Sequence, residues 1–328
     1  MERAYDLVII GAGPAGLSAA RDAARAGLEF VLLERRHVAD TISQYPIGKA
    51  LFSTAEEIEL VPGGLRCRCE KPTREEVLTH YTRFVVDNIR NVRTDEPVEA
   101  IDRRGHLFDV RTSKGAYRAR NVLVATGVNG ERKRLNVPGE SPDRVEYRFV
   151  EAFPYAGKRV VVTGSGHSAA EAALFLEEVG ARVTLVMRRS GFGEDPATHK
   201  AMIKWWVREP IETLVAAGRL ALLFDTHVAA IGEAAVTLES RDGSRRSVPC
   251  ETVFALLGTT PDLSLLTRAG VEIAADGLPA HDPETFETNV PGLYVAGHIT
   301  REPHIKGALR VGPLVVARVA ASLTPAAG

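Results

Sequence analysis

One pattern occurs twice in this chain of 328 residues, and few folds accommodate it. An apolar run, "YDLVII", meets a glycine turn, "GAGPAG" (Gly11 to Gly16), then an alanine-rich segment ending at Gly27 and a second apolar run, "EFVLLE". The stretch "KRVVVTGSGHSAAEAALFLEEVGARVTLVMRR" repeats that order around Gly164, Ser165 and Gly166, with its helix ending at Gly180. Strand, turn, helix and strand in succession form a βαβ unit. Gly11 or Gly164 permits the tight turn, and Gly13 or Gly166 lets a pyrophosphate approach the backbone. The third position, Gly16 or Ala169, must be small for helix and strand to pack, while free N–H groups at the helix start hold phosphate. Pro14, Ala15, His167 and Ser168 complete the two turns. Gly27 and Gly180 are placed as left-handed C-caps.

After each module come alternating runs that read as a small antiparallel set returning to the main sheet, closed by "VLVATG" (122–127) and "VFALLG" (253–258). The polar stretch "GVNGERKRLNVPGESP" reads as a linker. The expected fold is α/β, with two doubly wound Rossmann-like dinucleotide-binding domains, the second inserted in the first. Expected boundaries are 1–127 with 256–328 for the discontinuous first domain and 128–255 for the second.

The residue ending the second strand of such a unit faces the adenosine ribose, where an acid suits free hydroxyls and arginine a 2′-phosphate. Glu34 therefore points to FAD or NAD in the first domain. Arg188 and Arg189 point to NADPH in the second, through forked, charge-assisted hydrogen bonds.

Other function classes lose support. A net charge of -1, from 41 basic and 42 acidic residues, leaves no nucleic-acid footprint. No apolar run approaches the roughly 20 residues of a membrane span, and the N-terminal residues read as a strand rather than a signal peptide. A cytoplasmic location is the expectation. Three cysteines, Cys67, Cys69 and Cys250, form no CxxC, and the nine histidines give no HExxH or HxH pair, so no metal site is expected.

The ordered set "GAGPAG" with Glu34, "VLVATG", "GSGHSAA", "VFALLG" and "ETNVPGLYVAGHI" (287–299) resembles the motif set of two-domain flavoproteins similar to thioredoxin reductase. The resemblance spans essentially the whole chain. It implies FAD in the first domain and NADPH in the inserted one, and a homodimer by analogy. On the FAD side it implies Arg35, Val98, Thr126, Gly127, Gly297, His298 and Lys306 beside the first turn and Glu34. On the NADPH side it adds Gly258. His298 stands where related flavoproteins often carry an aspartate toward the ribityl chain, and Lys306 is a candidate for positive charge near the flavin N1/O2 edge.

Within that group, "DTISQYP" (40–46), "LFSTAEEIEL" (51–60) and "KPTREEVLTHY" (71–81) resemble the bacillithiol disulfide reductase-like branch, which lacks CxxC. That resemblance implies Gln44 and Tyr45 in the isoalloxazine environment. The branch carries a proposed reactive cysteine at the position matching Ala15; an alanine methyl removes that nucleophile. "SPDRVEYRFVEAFPYAG" (141–157), where thioredoxin reductases carry their CxxC, contains no cysteine. Cys67 and Cys69 form the only alternative redox pair, two incidental reduced thiols are the competing reading, and Cys250 reads as a small buried hydrophobe.

The expected activity is transfer of hydride from NADPH to FAD and on to an unidentified acceptor: a small disulfide, a quinone, ferredoxin or flavodoxin. The alternatives are a bacillithiol-type disulfide reductase, a ferredoxin/flavodoxin-NADP reductase, a flavin monooxygenase and a redox-sensing flavoprotein without turnover. Against the monooxygenase, the "FxGxxxHxxx" segment typical of that family is absent before the second glycine turn.

Overall fold

The computed structural model describes residues 4–128, 130–194, 203–300, 302 and 304–323. The chain divides into one unit of Met1–Gly130 with Pro261–Gly328 and another of Glu131–Thr260.

The first unit is built on a seven-stranded sheet. Tyr5–Ile10 (β1) leads through the glycine turn into the helix Pro14–Arg25 (α1) and then Phe30–Leu33 (β2). β1 pairs in parallel with β2 on one side and with Gly115–Val124 on the other. Leu293–Val295 adds to the far edge of Gly115–Val124, also in parallel. A parallel sheet covered on both faces needs unbroken apolar strands, and β1 shows why. Leu7 and Ile9 enter the core beneath α1, whereas Val8 and Ile10 enter the core on the opposite face.

α1 starts with Pro14 after the N-cap Gly13, where a missing N–H costs nothing. It ends as expected at Gly27, whose φ is +70°, with the Leu28 N–H reaching back to the Ala23 carbonyl at 3.0 Å. Its buried alanines, Ala15, Ala19, Ala20 and Ala23, allow the C-terminal helix Ile305–Leu323 to approach closely.

The second unit repeats the plan. Its five-stranded sheet runs, in spatial order, Leu220–Leu223, Arg182–Val186, Arg159–Thr163, Thr252–Ala255 and Val145–Glu146, with every pairing parallel. Its helix His167–Glu178 is followed by Gly180 at φ +80°.

The small antiparallel sets differ between the units, contrary to the expectation that the second repeats the first. In the first unit Gly115–Val124 is one continuous strand that pairs with Leu107–Thr112 through its first half and with β1 through its second. In the second unit the chain breaks between Arg245–Pro249 and Thr252–Ala255, leaving a separate three-stranded sheet of Thr226–Ile231, Ala235–Ser240 and Arg245–Pro249. The last bond of that small sheet is from the Cys250 N–H to the Ala234 carbonyl at 3.0 Å, after which the chain enters Thr252–Ala255 of the five-stranded sheet.

Candidate functional site

The two glycine turns match almost atom for atom in their backbone bonding. Gly11 donates its N–H to the Leu33 carbonyl at 2.8 Å, and Gly164 donates to Val186 at 3.1 Å. Ala125 N–H binds the Ile10 carbonyl at 2.7 Å, and Leu256 N–H binds Thr163 at 2.9 Å. Each turn thus lies between its own two strand ends and the strand that returns beside it, which is where open α/β sheets bind ligands.

Steric contacts assign the glycines their roles. A Cβ on Gly11 would sit 2.5 Å from the Ala125 oxygen, and one on Gly164 would sit 2.4 Å from the Leu256 oxygen. On Gly16 it would lie only 1.9 Å from the Gly11 oxygen, so helix and strand touch there. Gly13 and Gly166 behave differently: a Cβ on either meets nothing within 4 Å. Both middle glycines face open space at a helix start, the geometry that suits a pyrophosphate. The second turn accommodates the Cβ of Ala169 at its third position.

Glu34 is buried, and its two carboxylate oxygens accept from the N–H groups of Ala12 (2.8 Å) and Arg36 (2.9 Å). Each oxygen keeps a lone pair for a further donor. The carboxylate is thereby fixed over the turn.

Sequence patterns gave no sign of what ties the next segment down. Ala39, at φ +56°, donates its N–H to the Ala12 carbonyl at 2.9 Å. Asp40, buried in the short helix Asp40–Ser43, accepts from Gln44 Nε2 at 2.8 Å. Gln44 and Tyr45 are half-buried, and Tyr45 packs against the core cluster that contains Ala15. The Lys49 ammonium, also buried, lies 5.7 Å from the Tyr45 ring centre and 5.1 Å from that of Phe52. "LFSTAEEIEL" and "KPTREEVLTHY" each contain a capping box, Thr54 with Glu57 and Thr73 with Glu76.

Ala15 is 3% exposed. Gly297, at φ +78°, closes over it, since a Cβ there would come 3.1 Å from the Ala15 methyl. His298 is exposed, and desolvation by its surroundings, helped by the like charge of His304, lowers its pKa. Thr126 is exposed beside Gly127 at φ +71°. Arg35 is exposed just past Glu34. Val98 begins the strand Val98–Arg104 and packs against the opposite core face. The exposed Lys306 ammonium pairs with Glu57 at 2.7 Å.

Cys67 and Cys69 lie in an irregular loop rather than on a strand face, Cys67 half-buried and Cys69 exposed, and both are free thiols. Cys250 is fully buried, and burial pushes its thiol pKa up.

In the second unit Arg188 and Arg189 are exposed just beyond the strand Arg182–Val186. Arg188 has no carboxylate partner among the described residues. Gly258 has φ +83° and accepts the Lys133 N–H at 3.1 Å. Ser165 and Ser168 flank the middle of the second turn. His167 begins the helix His167–Glu178, and its Nδ1 accepts the Lys204 N–H at 3.5 Å, a contact that no local pattern signals.

Comparison with known proteins agrees with this architecture. Bacilliredoxin reductase of Bacillus subtilis is 33% identical over 294 residues, covering 89% of each chain. A ferredoxin–NADP reductase of Ignicoccus hospitalis is 28% identical over 307 residues, covering 91% of each. The solved bacillithiol disulfide reductase of Bacillus cereus superposes with a TM-score of 0.89 at 31% identity, covering 98% of this chain and 100% of its own.

Fold, paired turns and relatives together define a two-domain flavoprotein oxidoreductase of the thioredoxin reductase-like type, a class that uses FAD with NADPH. The chain belongs to the pyridine nucleotide-disulphide oxidoreductase family, whose profile matches residues 8–297.

Proposed function

We propose that the first turn holds FAD and the second holds NADPH, and that the protein reduces an external acceptor without a dithiol of its own. The observation carrying this reading is Ala15, a buried methyl under Gly297 where a thiol would be needed. FAD bound there supplies two-electron redox chemistry with NADPH as hydride donor.

The residues' part is binding and electrostatics. Open space at Gly13 suits a pyrophosphate, and Glu34 offers ribose hydroxyls its remaining lone pairs. Lowering of the His298 pKa keeps its imidazole neutral at pH 7, able to donate one hydrogen bond without adding charge. Lys306 is engaged with Glu57, so its charge reaches a flavin only if that exposed pair opens. Exposed Arg188 and Arg189 supply the fork for a 2′-phosphate.

A steady-state panel of ferredoxin, flavodoxin, quinones, thioredoxin and small disulfides tests the reading. Turnover with a one-electron or quinone acceptor, unchanged in Cys67→Ser/Cys69→Ser, is expected. Disulfide turnover abolished by that double change would refute it. The second reading, a small-disulfide reductase of the bacillithiol type, draws on the names of two relatives. Disulfide turnover that survives the double change would favour it. The expected homodimer is read by light scattering.

A further inference from the structure

The chain has two tryptophans, and they are adjacent: Trp205 and Trp206. Their rings meet edge to face, with centres 5.8 Å apart. Trp205 is 65% exposed, a large apolar surface left in water.

Its position gives that exposure a meaning. The helix Trp205–Ala216 is capped by Lys204, whose N–H meets His167 Nδ1 at the start of the nucleotide helix. Buried Val207 and Ile211 seat one face of the helix in the same core as Ala169, Ala170 and Ala173. Arg208, three residues beyond Trp205 and so on a neighbouring part of the helix surface, lies 5.4 Å from the centre of the Phe192 ring. Phe192 packs edge-on against Phe224 at 5.4 Å, and the adjoining Asp225 N–H binds the Arg189 carbonyl at 3.0 Å.

The first turn of this helix is therefore tied at one end to the glycine turn and at the other to the arginine loop. Those two places hold the pyrophosphate and the adenosine 2′-phosphate of a bound NADPH. The base attached to that ribose needs an apolar face, and an exposed indole provides one on which it can stack.

We infer that Trp205 is the stacking platform for the adenine of NADPH, a role that rests on the second turn being the NADPH site. Calorimetric titration of the oxidised, FAD-loaded enzyme with NADP+, and separately with 2′,5′-ADP, tests it. Trp205→Ala should weaken both ligands about tenfold, while Trp205→Phe stays within about threefold of the parent. Saturating NADP+ should quench indole emission in the parent and in Trp206→Phe, and should leave Trp205→Phe unquenched. Unchanged affinity in Trp205→Ala, or a loss confined to NADP+ and absent with 2′,5′-ADP, overturns the inference alone. Absence of NADP+ binding by the parent overturns the NADPH reading beneath it as well.

Discussion

Ala15 and Gly297 face each other so closely that neither can grow: a Cβ on Gly297 would stand 3.1 Å from the Ala15 methyl, and its φ of +78° already disfavours any side chain. The contact joins the start of α1 to the Gly297–Ile299 turn, the two places from which a flavin is held in the proposed reading. Gly297→Ala should therefore lose FAD occupancy, and should destabilise the fold by about 1–3 kcal/mol through strain and overpacking. Flavin absorbance per chain and a denaturant midpoint measure the two effects. Full occupancy with an unchanged midpoint would show that the contact is slack.

A second close approach should be less forgiving. A Cβ on Gly312 would come 2.2 Å from Ser18 Oγ and 2.5 Å from the Ala19 nitrogen, so backbone as well as side chain would have to shift. Gly312→Ala should cost at least about 2 kcal/mol despite the better helix propensity of alanine. Ser18→Ala should not rescue it, because the Ala19 contact persists. Thermal unfolding of the single and double variants decides this.

Stability should fall with acid through His80. Its Nε2 accepts the Leu60 N–H at 2.9 Å, and desolvation holds its pKa below 6.5. The nearby Glu59 and the Gly64 backbone oppose that shift without reversing it. The unfolded chain therefore takes up the proton first: stability is complete above about pH 6.5 and declines as pH falls toward the folded value. His298 acts with the same sign. Urea midpoints between pH 7.5 and 5 should drop, and His80→Gln should flatten the slope; equal slopes would remove His80 from the account.

Nucleotide choice should follow the arginine pair. Arg188→Ala/Arg189→Ala should reduce the rate of flavin bleaching by NADPH roughly tenfold or more while leaving NADH nearly unchanged, since a forked contact to the 2′-phosphate is what distinguishes the two. Stopped-flow reduction under anaerobic conditions reads both rates. Equal rates with the two nucleotides before mutation would leave the pair as solvated surface.

Much of the frame was legible because it depends on local pattern. Alternation of Leu7 and Ile9 with Val8 and Ile10, the proline at N1 and the glycines at φ +70° and +80° are written in consecutive residues. Other features needed the folded chain. Nothing near Ala12 announces that its N–H goes to Glu34 and its carbonyl to Ala39. His167 could be placed on the nucleotide helix, but not against Lys204. The spacing of Cys67 and Cys69 leaves open whether they sit on a strand or in a loop, and the folded chain puts them in a loop with no pairing strand. The two small sets read alike as alternating runs, and only the folded chain shows that the second forms a detached three-stranded sheet.

The central claim is that the chain contributes no redox group beyond its bound flavin. Anaerobic titration with NADPH, following flavin absorbance, counts the electrons the enzyme accepts. One NADPH per FAD should complete the bleaching in both the parent and Cys67→Ser/Cys69→Ser. Two per FAD in the parent, falling to one in the double variant, would establish a working Cys67–Cys69 pair and contradict the account.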